Sequence, residues 1–164
     1  MSSLLDGIAS AVDPPLTLVK FEGDAVFAVA RDDVAPRGAA MLECVMACYQ
    51  GFVARRDEEG VSTCTCGACM RRGALELKFV VHHGEFFVQP VGGQIDVLGP
   101  DVIVAHRLLK NGAAELVGSA AYGLFTDAAM SALDLPLAEA AVTTESVDGV
   151  EVTARVVPLA VLGA

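Results

Sequence analysis

Basic residues are scarce in this chain. Eleven lysines and arginines face twenty-one aspartates and glutamates, a formal net charge of -10. Such a surface repels a phosphate backbone unless a local patch overrides it, so nucleic-acid binding is disfavoured. Long apolar runs are missing too. Hydrophobic residues make up 54% of the chain, yet no stretch of roughly 18 uncharged apolar residues offers a membrane span. The opening MSSLLDGIAS has no basic leader followed by a long apolar core, so no secretory signal is expected and the reading is cytoplasmic. No internal repeat or low-complexity linker divides the 164 residues, a length that suits one domain with a single core. The expected domain is therefore 1–164. The five cysteines form an odd set, which in the cytosol points to thiols or a metal rather than to disulfides.

Along the chain, Leu4, Leu5, Ile8 and Val12 recur at helical spacing before Pro14 and Pro15 prevent continuation. Two β-rich runs follow, Leu16 to Val19 and Ala25 to Ala30, and Gly23 and Asp24 suit the turn of a hairpin between them. Asp24 is expected at its exposed tip. From Arg37 to Arg56, Leu42, Val45, Met46, Tyr49 and Val53 recur every three or four residues and predict a long amphipathic helix. After a loop from about Asp57 to Gly73, Leu75 to His82 reads as a buried strand paired with Glu85 to Val91 about a His83-Gly84 turn.

Gly99-Pro100 opens a third helix. Val102, Ala105, Leu108 and Leu109 make its apolar face, and Ile103, His106, Arg107 and Lys110 share the other. A helix around Gly123 to Leu133 and a closing strand pair, Ala141 to Ser146 and Val150 to Val157 joined at Asp148-Gly149, complete the pattern. The order describes an α+β sandwich with helices on one sheet face, best matched by a ferredoxin-like core.

The chemistry-bearing residues start at Lys20 and Asp24, separated by a glycine able to take the positive φ of a tight turn. A carboxylate at such a tip is open to Mg²⁺, which takes one or two carboxylates plus substrate phosphate oxygens. It is equally an ordinary hairpin residue. Further pieces change that weighting: KFEGDAVFAVA, LKFVVHHGEFFVQPVG and IDVLGPDVIVAHRLLK stand in the order found in the class III adenylate and guanylate cyclases, which the chain resembles. It resembles more closely an uncharacterised cyclase-like bacterial family whose members pair an EGDAVF hairpin with a C-x-C-x-x-C loop and an HRLLKN helix end. The resemblance covers residues 3–111 well and the rest loosely.

That resemblance implies a nucleotide-binding domain using Mg²⁺ or Mn²⁺ and completed as a homodimer. Asp24 matches the second metal-binding aspartate, Lys20 and Asp96 match the pair that reads adenine, and Arg107 matches the transition-state arginine. ATP is thus expected over GTP. Two departures count against catalysis. Ile103 stands where the family has an asparagine, and it cannot orient ribose or donate a hydrogen bond. The family's first strand, with its first metal aspartate, is also missing; that strand is central, so its absence is expected to leave two inner edges unpaired. The second reading is therefore a non-catalytic dimeric regulatory module of the same fold.

Cys64, Cys66 and Cys69 lie within one short loop and suit Zn²⁺ if a fourth ligand comes from elsewhere. A thiol-based metal or redox sensor is a third reading. Cys44 and Cys48, four apart on the long helix, read as buried small hydrophobes. His82 and His83 end a strand and point to opposite faces, which leaves one of them for a packed, hydrogen-bonded interior position.

Overall fold

The computed structural model describes residues 2–60 and 72–163. Helix α1 (Ser2–Val12) leads into a hairpin of β1 (Thr17–Glu22) and β2 (Ala25–Val29), followed by α2 (Ala39–Gly60). After a short 3-10 turn come β3 (Lys78–Val81), the hairpin β4 (Phe87–Val91) and β5 (Gln94–Leu98), then α3 (Pro100–Arg107) and α4 (Ala113–Val117). The chain closes with β6 (Tyr122–Thr126), α5 (Asp127–Ala132), the hairpin β7 (Ala141–Val147) and β8 (Val150–Pro158), and the single turn α6 (Leu159–Leu162). This is an α+β fold.

Its main sheet has four strands in the order β3-β6-β8-β7, with β3 parallel to β6 and the other neighbours antiparallel. The β1–β2 and β4–β5 hairpins form separate two-stranded sheets. Val26 and Ala28 of β2 nonetheless pack into the same core cluster as Phe79 of β3, against Leu4, Ile8, Cys48 and Phe52 of α1 and α2. So β2 and β3 share a helical floor without sharing a ladder. Apart from exposed Lys78 their residues are partly buried, while every residue of neighbouring β6 is buried.

Several expectations change. Leu75 to His82 does not pair with Glu85 to Val91. Instead β3 adds to β6, and β4 turns back at Gly92-Gly93 onto β5. Positive φ at both glycines (58° and 84°) makes that a two-residue hairpin loop, a stronger signal than His83-Gly84. Gly123 to Thr126 is a strand, and the helix begins only at Asp127, where the Thr126 side chain caps it by accepting the Ala129 N–H. Short, wholly apolar runs such as YGLF carry no period that separates buried strand from helix.

Helices also cover both faces of the main sheet. Met41 and Val45 of α2 and Ala129 of α5 pack with Phe125 on one side. Leu108 and Ala113 meet Tyr122 and Leu124 on the other. The buried stripe of α2 is Met41, Cys44, Val45, Cys48 and Phe52, shifted from the larger residues because α1 claims part of the helix surface. There α1 and α2 cross at Gly7 and Gly51, so closely that a Cβ on Gly51 would sit 2.8 Å from the Gly7 carbonyl oxygen.

A cleft between the first hairpin and the third helix

The β1–β2 loop is Gly23-Asp24, flanked by the pair Glu22↔Ala25. Glycine comes first with φ 63°, as a tight hairpin loop with glycine at its first position requires. Alternation along β1 then puts Lys20 and Glu22 on one face, with Phe27 paired across from Lys20. The other face sends Val26 and Ala28 into the core. Asp24 is exposed at the tip, as expected, and does not line the cleft described next.

That cleft has a volume of about 600 Å³. β1 supplies Lys20 and Glu22, the end of β5 supplies Val97 and Leu98, and α3 supplies Val102, Ile103, His106 and Arg107, with Gly99 at the junction. Gly99 is needed there because a Cβ would sit 2.7 Å from the Glu85 carbonyl oxygen. Pro100 at the first helical position and Asp101 in the first turn start α3; His106 and Arg107 in its last turn complement the helix dipole.

Lys20 and Asp96, 76 residues apart, meet at 2.9 Å. Lys20 also pairs with Glu22 at 3.1 Å. Its ammonium pKa is raised by the bond to Asp96 first and the bond to Glu22 second. The Asp96 carboxyl is correspondingly lowered by Lys20 and by the Val97 N–H it accepts at 2.9 Å. Ile103 is 52% exposed on the cleft wall. Arg107 reaches Asp148 in the β7–β8 turn at 2.5 Å, with both side chains more than half exposed. The fold thus brings Lys20 and Arg107 to the wall of one cleft, ties Asp96 to it through Lys20, and leaves Asp24 apart from it.

Sequence reasoning did not assign Glu22 and His106 to the site. The His106 Nε2 lies 2.7 Å from Glu22 Oε2, and its ring packs against Phe27 at 4.7 Å between centroids. The signal was present in the two-residue spacing of Lys20 and Glu22 and in the shared helix face of Ile103, His106 and Arg107.

Behind the cleft, His82 bridges Thr126 Oγ1 (2.9 Å) and Asp101 Oδ1 (3.1 Å). The arrangement superficially matches a nucleophile, base and carboxylate, but Thr126 is fully buried and its oxygen accepts the Ala129 N–H, so it joins β3, β6 and α3 rather than attacking a substrate. Burial pushes the Asp101 carboxyl up, but the His82 ring and the Glu85 N–H (2.8 Å) more than offset this and hold it below its ordinary value. His82 is therefore the packed histidine expected. His83 instead faces outward to Asp32 at 3.0 Å.

Cys44 and Cys48 are buried thiols, as expected. Cys64, Cys66 and Cys69 lie outside the described residues. Among the described residues no group of three or more His, Cys, Asp or Glu side chains is placed to hold a metal ion, and no helix is long and apolar enough to cross a membrane.

A family model described as "Protein of unknown function (DUF2652)" matches residues 1–116. The chain belongs to the DUF2652 family. A relative in this comparison is the "Uncharacterized protein Rv2561/Rv2562" of Mycobacterium tuberculosis (strain ATCC 25618 / H37Rv), 36% identical over 115 residues. That alignment covers 68% of this chain and 51% of the relative, so the match spans about half the length of the curated protein. Every residue lining the cleft, from Lys20 to Arg107, falls within the DUF2652 match. The Arg107 partner Asp148 lies beyond it.

Proposed function

We propose that this DUF2652 chain is a nucleotide cyclase-like domain that binds ATP with Mg²⁺ or Mn²⁺ in the cleft between β1 and α3. The pairing of Lys20 with Asp96 beside Arg107 carries the reading. One Lys20 proton and the Asp96 Oδ2 have no partner among the described residues. A donor next to an acceptor complements adenine, which offers a ring-nitrogen acceptor beside an amino donor. The apolar wall of Val97, Leu98 and Val102 suits the flat faces of a base.

Asp24 at the hairpin tip would hold a cation shared with phosphate oxygens. Two-metal phosphoryl chemistry needs both the attacking and leaving oxygens stabilised, and Asp24 is the single aspartate that the resemblance assigns to a metal. The reading is therefore of binding without enzyme-like turnover to cyclic AMP. Calorimetry with ATP and GTP in Mg²⁺ tests it. Tighter binding of ATP, lost in Asp24→Ala plus Asp96→Ala, is expected; equal affinities, or an unaffected double variant, refute the site. Cyclic AMP production at an ordinary enzymatic rate, abolished by Asp24→Ala, refutes the non-catalytic part.

A second reading, a dimeric regulatory module of the same fold, is favoured by the β4–β5 hairpin. Phe87, Val91 and Leu98 on one face of that hairpin and Val88 and Ile95 on the other are all about half exposed or more, apolar surface of the kind that marks protein contacts. A homodimer in sedimentation that dissociates in Phe87→Asp or Ile95→Asp supports it. A monomer at every concentration removes it.

A further inference from the structure

The cleft contains a connected chain of charged and polar groups that extends beyond the base-reading pair. Lys20 Nζ carries three protons. One goes to Asp96 at 2.9 Å and another to Glu22 Oε1 at 3.1 Å. The second Glu22 oxygen lies 2.7 Å from His106 Nε2, and His106 Nδ1 lies 2.6 Å from the Val102 carbonyl oxygen. A carbonyl only accepts, so Nδ1 donates to it. Nε2 then faces the Glu22 carboxylate at ion-pair distance. Phe27 closes the back of the arrangement, with its ring against His106 and 5.9 Å from the Lys20 ammonium.

These contacts run from the α3 backbone through His106 and Glu22 to Lys20 and Asp96, crossing from α3 to β1 to β5. A lysine on a flexible four-carbon stem is otherwise a mobile point donor. Such a donor serves the carbonyl oxygen of guanine as readily as the ring nitrogen of adenine. Guanine presents its acceptor and donor in the opposite order along the edge, so discrimination requires the donor and acceptor to stay in a fixed order.

We propose that Glu22 and His106 are positioning residues that hold Lys20 beside Asp96 and thereby make the cleft selective for a base with an amino donor next to a ring-nitrogen acceptor. This rests on the nucleotide reading above. His106 orients Glu22, Glu22 orients Lys20, and neither has to touch the base.

The test is calorimetric titration of the full chain and of His106→Leu, His106→Gln, Glu22→Ala and Glu22→Gln with MgATP and with MgGTP, with thermal melting of each variant alongside. The wild-type chain is expected to favour ATP by roughly tenfold, the scale of one well-placed hydrogen bond. His106→Leu and Glu22→Ala are expected to bring the ratio close to one. His106→Gln, whose amide can still donate to Glu22, keeps most of it. If His106→Leu or Glu22→Ala weakens both nucleotides alike and leaves the ratio intact, the residues are merely structural and the inference falls while the nucleotide reading stands. Equal loss of the ratio in His106→Gln and His106→Leu overturns the role given to the Glu22 contact. If the wild-type chain binds neither nucleotide, both the reading and the inference fall. Glu22→Gln and His106→Gln, close in size to the residues they replace, keep the comparison decisive should the larger truncations not fold.

Discussion

Gly51→Ala places the α1–α2 crossing under direct test, because two opposing effects can be weighed there. Alanine in a helix interior is favoured over glycine by about 1 kcal/mol, so on propensity alone the variant gains stability. The added Cβ, however, would sit 2.8 Å from the Gly7 carbonyl oxygen, whereas ordinary contact starts at 3.4 Å. The obstacle is backbone, which has no rotamer to escape into. α1 must retreat by roughly half an ångström, loosening Leu4, Ile8 and Val12 against Cys48 and Phe52. Overpacking of this kind costs about 1 to 3 kcal/mol, and the partly opened cluster adds to it. The net expectation is a loss of about 1 to 2 kcal/mol, or roughly 2 to 8 °C in melting temperature for a domain of this size. Val26 and Ala28 stand on the same cluster, so the β1–β2 hairpin should shift with α1 and weaken the cleft. Thermal and urea denaturation of Gly51→Ala, with Gln50→Ala on the exposed side of α2 as control, provide the measurement. A Gly51→Ala chain as stable as wild type, or more so, would refute the close crossing.

Other perturbations probe the cleft and the core. Asp96 has a lowered pKa, so its contribution to stability is present above the ordinary aspartate value near 4 and lost as pH falls through its folded value; Lys20 is raised, so its share is present below about 10 and lost as pH rises through its folded value. The melting-temperature gap between wild type and Lys20→Met should therefore be widest between those limits and close on both sides, and a gap that persists into acid contradicts the pairing. Thr126→Val leaves both the Ala129 N–H and the His82 ring without their partner oxygen; a loss of about 1 to 3 kcal/mol in urea unfolding is expected, and a change below half of that range speaks against the buried bridge. In a variant carrying Cys64→Ser, Cys66→Ser and Cys69→Ser, Cys44 and Cys48 at 8% and 2% exposure should resist a thiol reagent until denaturant is added. Rapid labelling of the folded chain would show that α2 does not bury them.

Local physics made much of this protein legible in its sequence. Gly23-Asp24 and Asp148-Gly149 announced two hairpins, Pro14-Pro15 ended the first helix and Gly99-Pro100 began the third, because turns, caps and breakers act through a residue's own backbone preferences. The ordered motifs also singled out Lys20 and Arg107, which the fold places on one cleft, and Asp96, which bonds to Lys20 there. Pairing partners were another matter. Nothing local says that β3 lies beside β6 rather than β4, since an apolar run is satisfied by any neighbour that buries it. The same ambiguity hid the strand at Tyr122 to Thr126 among helical expectations. Only the tertiary structure decided that Cys48 would pack with Leu4, Ile8 and Val12 beside a helix crossing set by Gly7 and Gly51. Only the folded arrangement brought His106 of α3 within hydrogen-bonding distance of Glu22 on β1, because that contact depends on where two separate elements come to rest on a shared core.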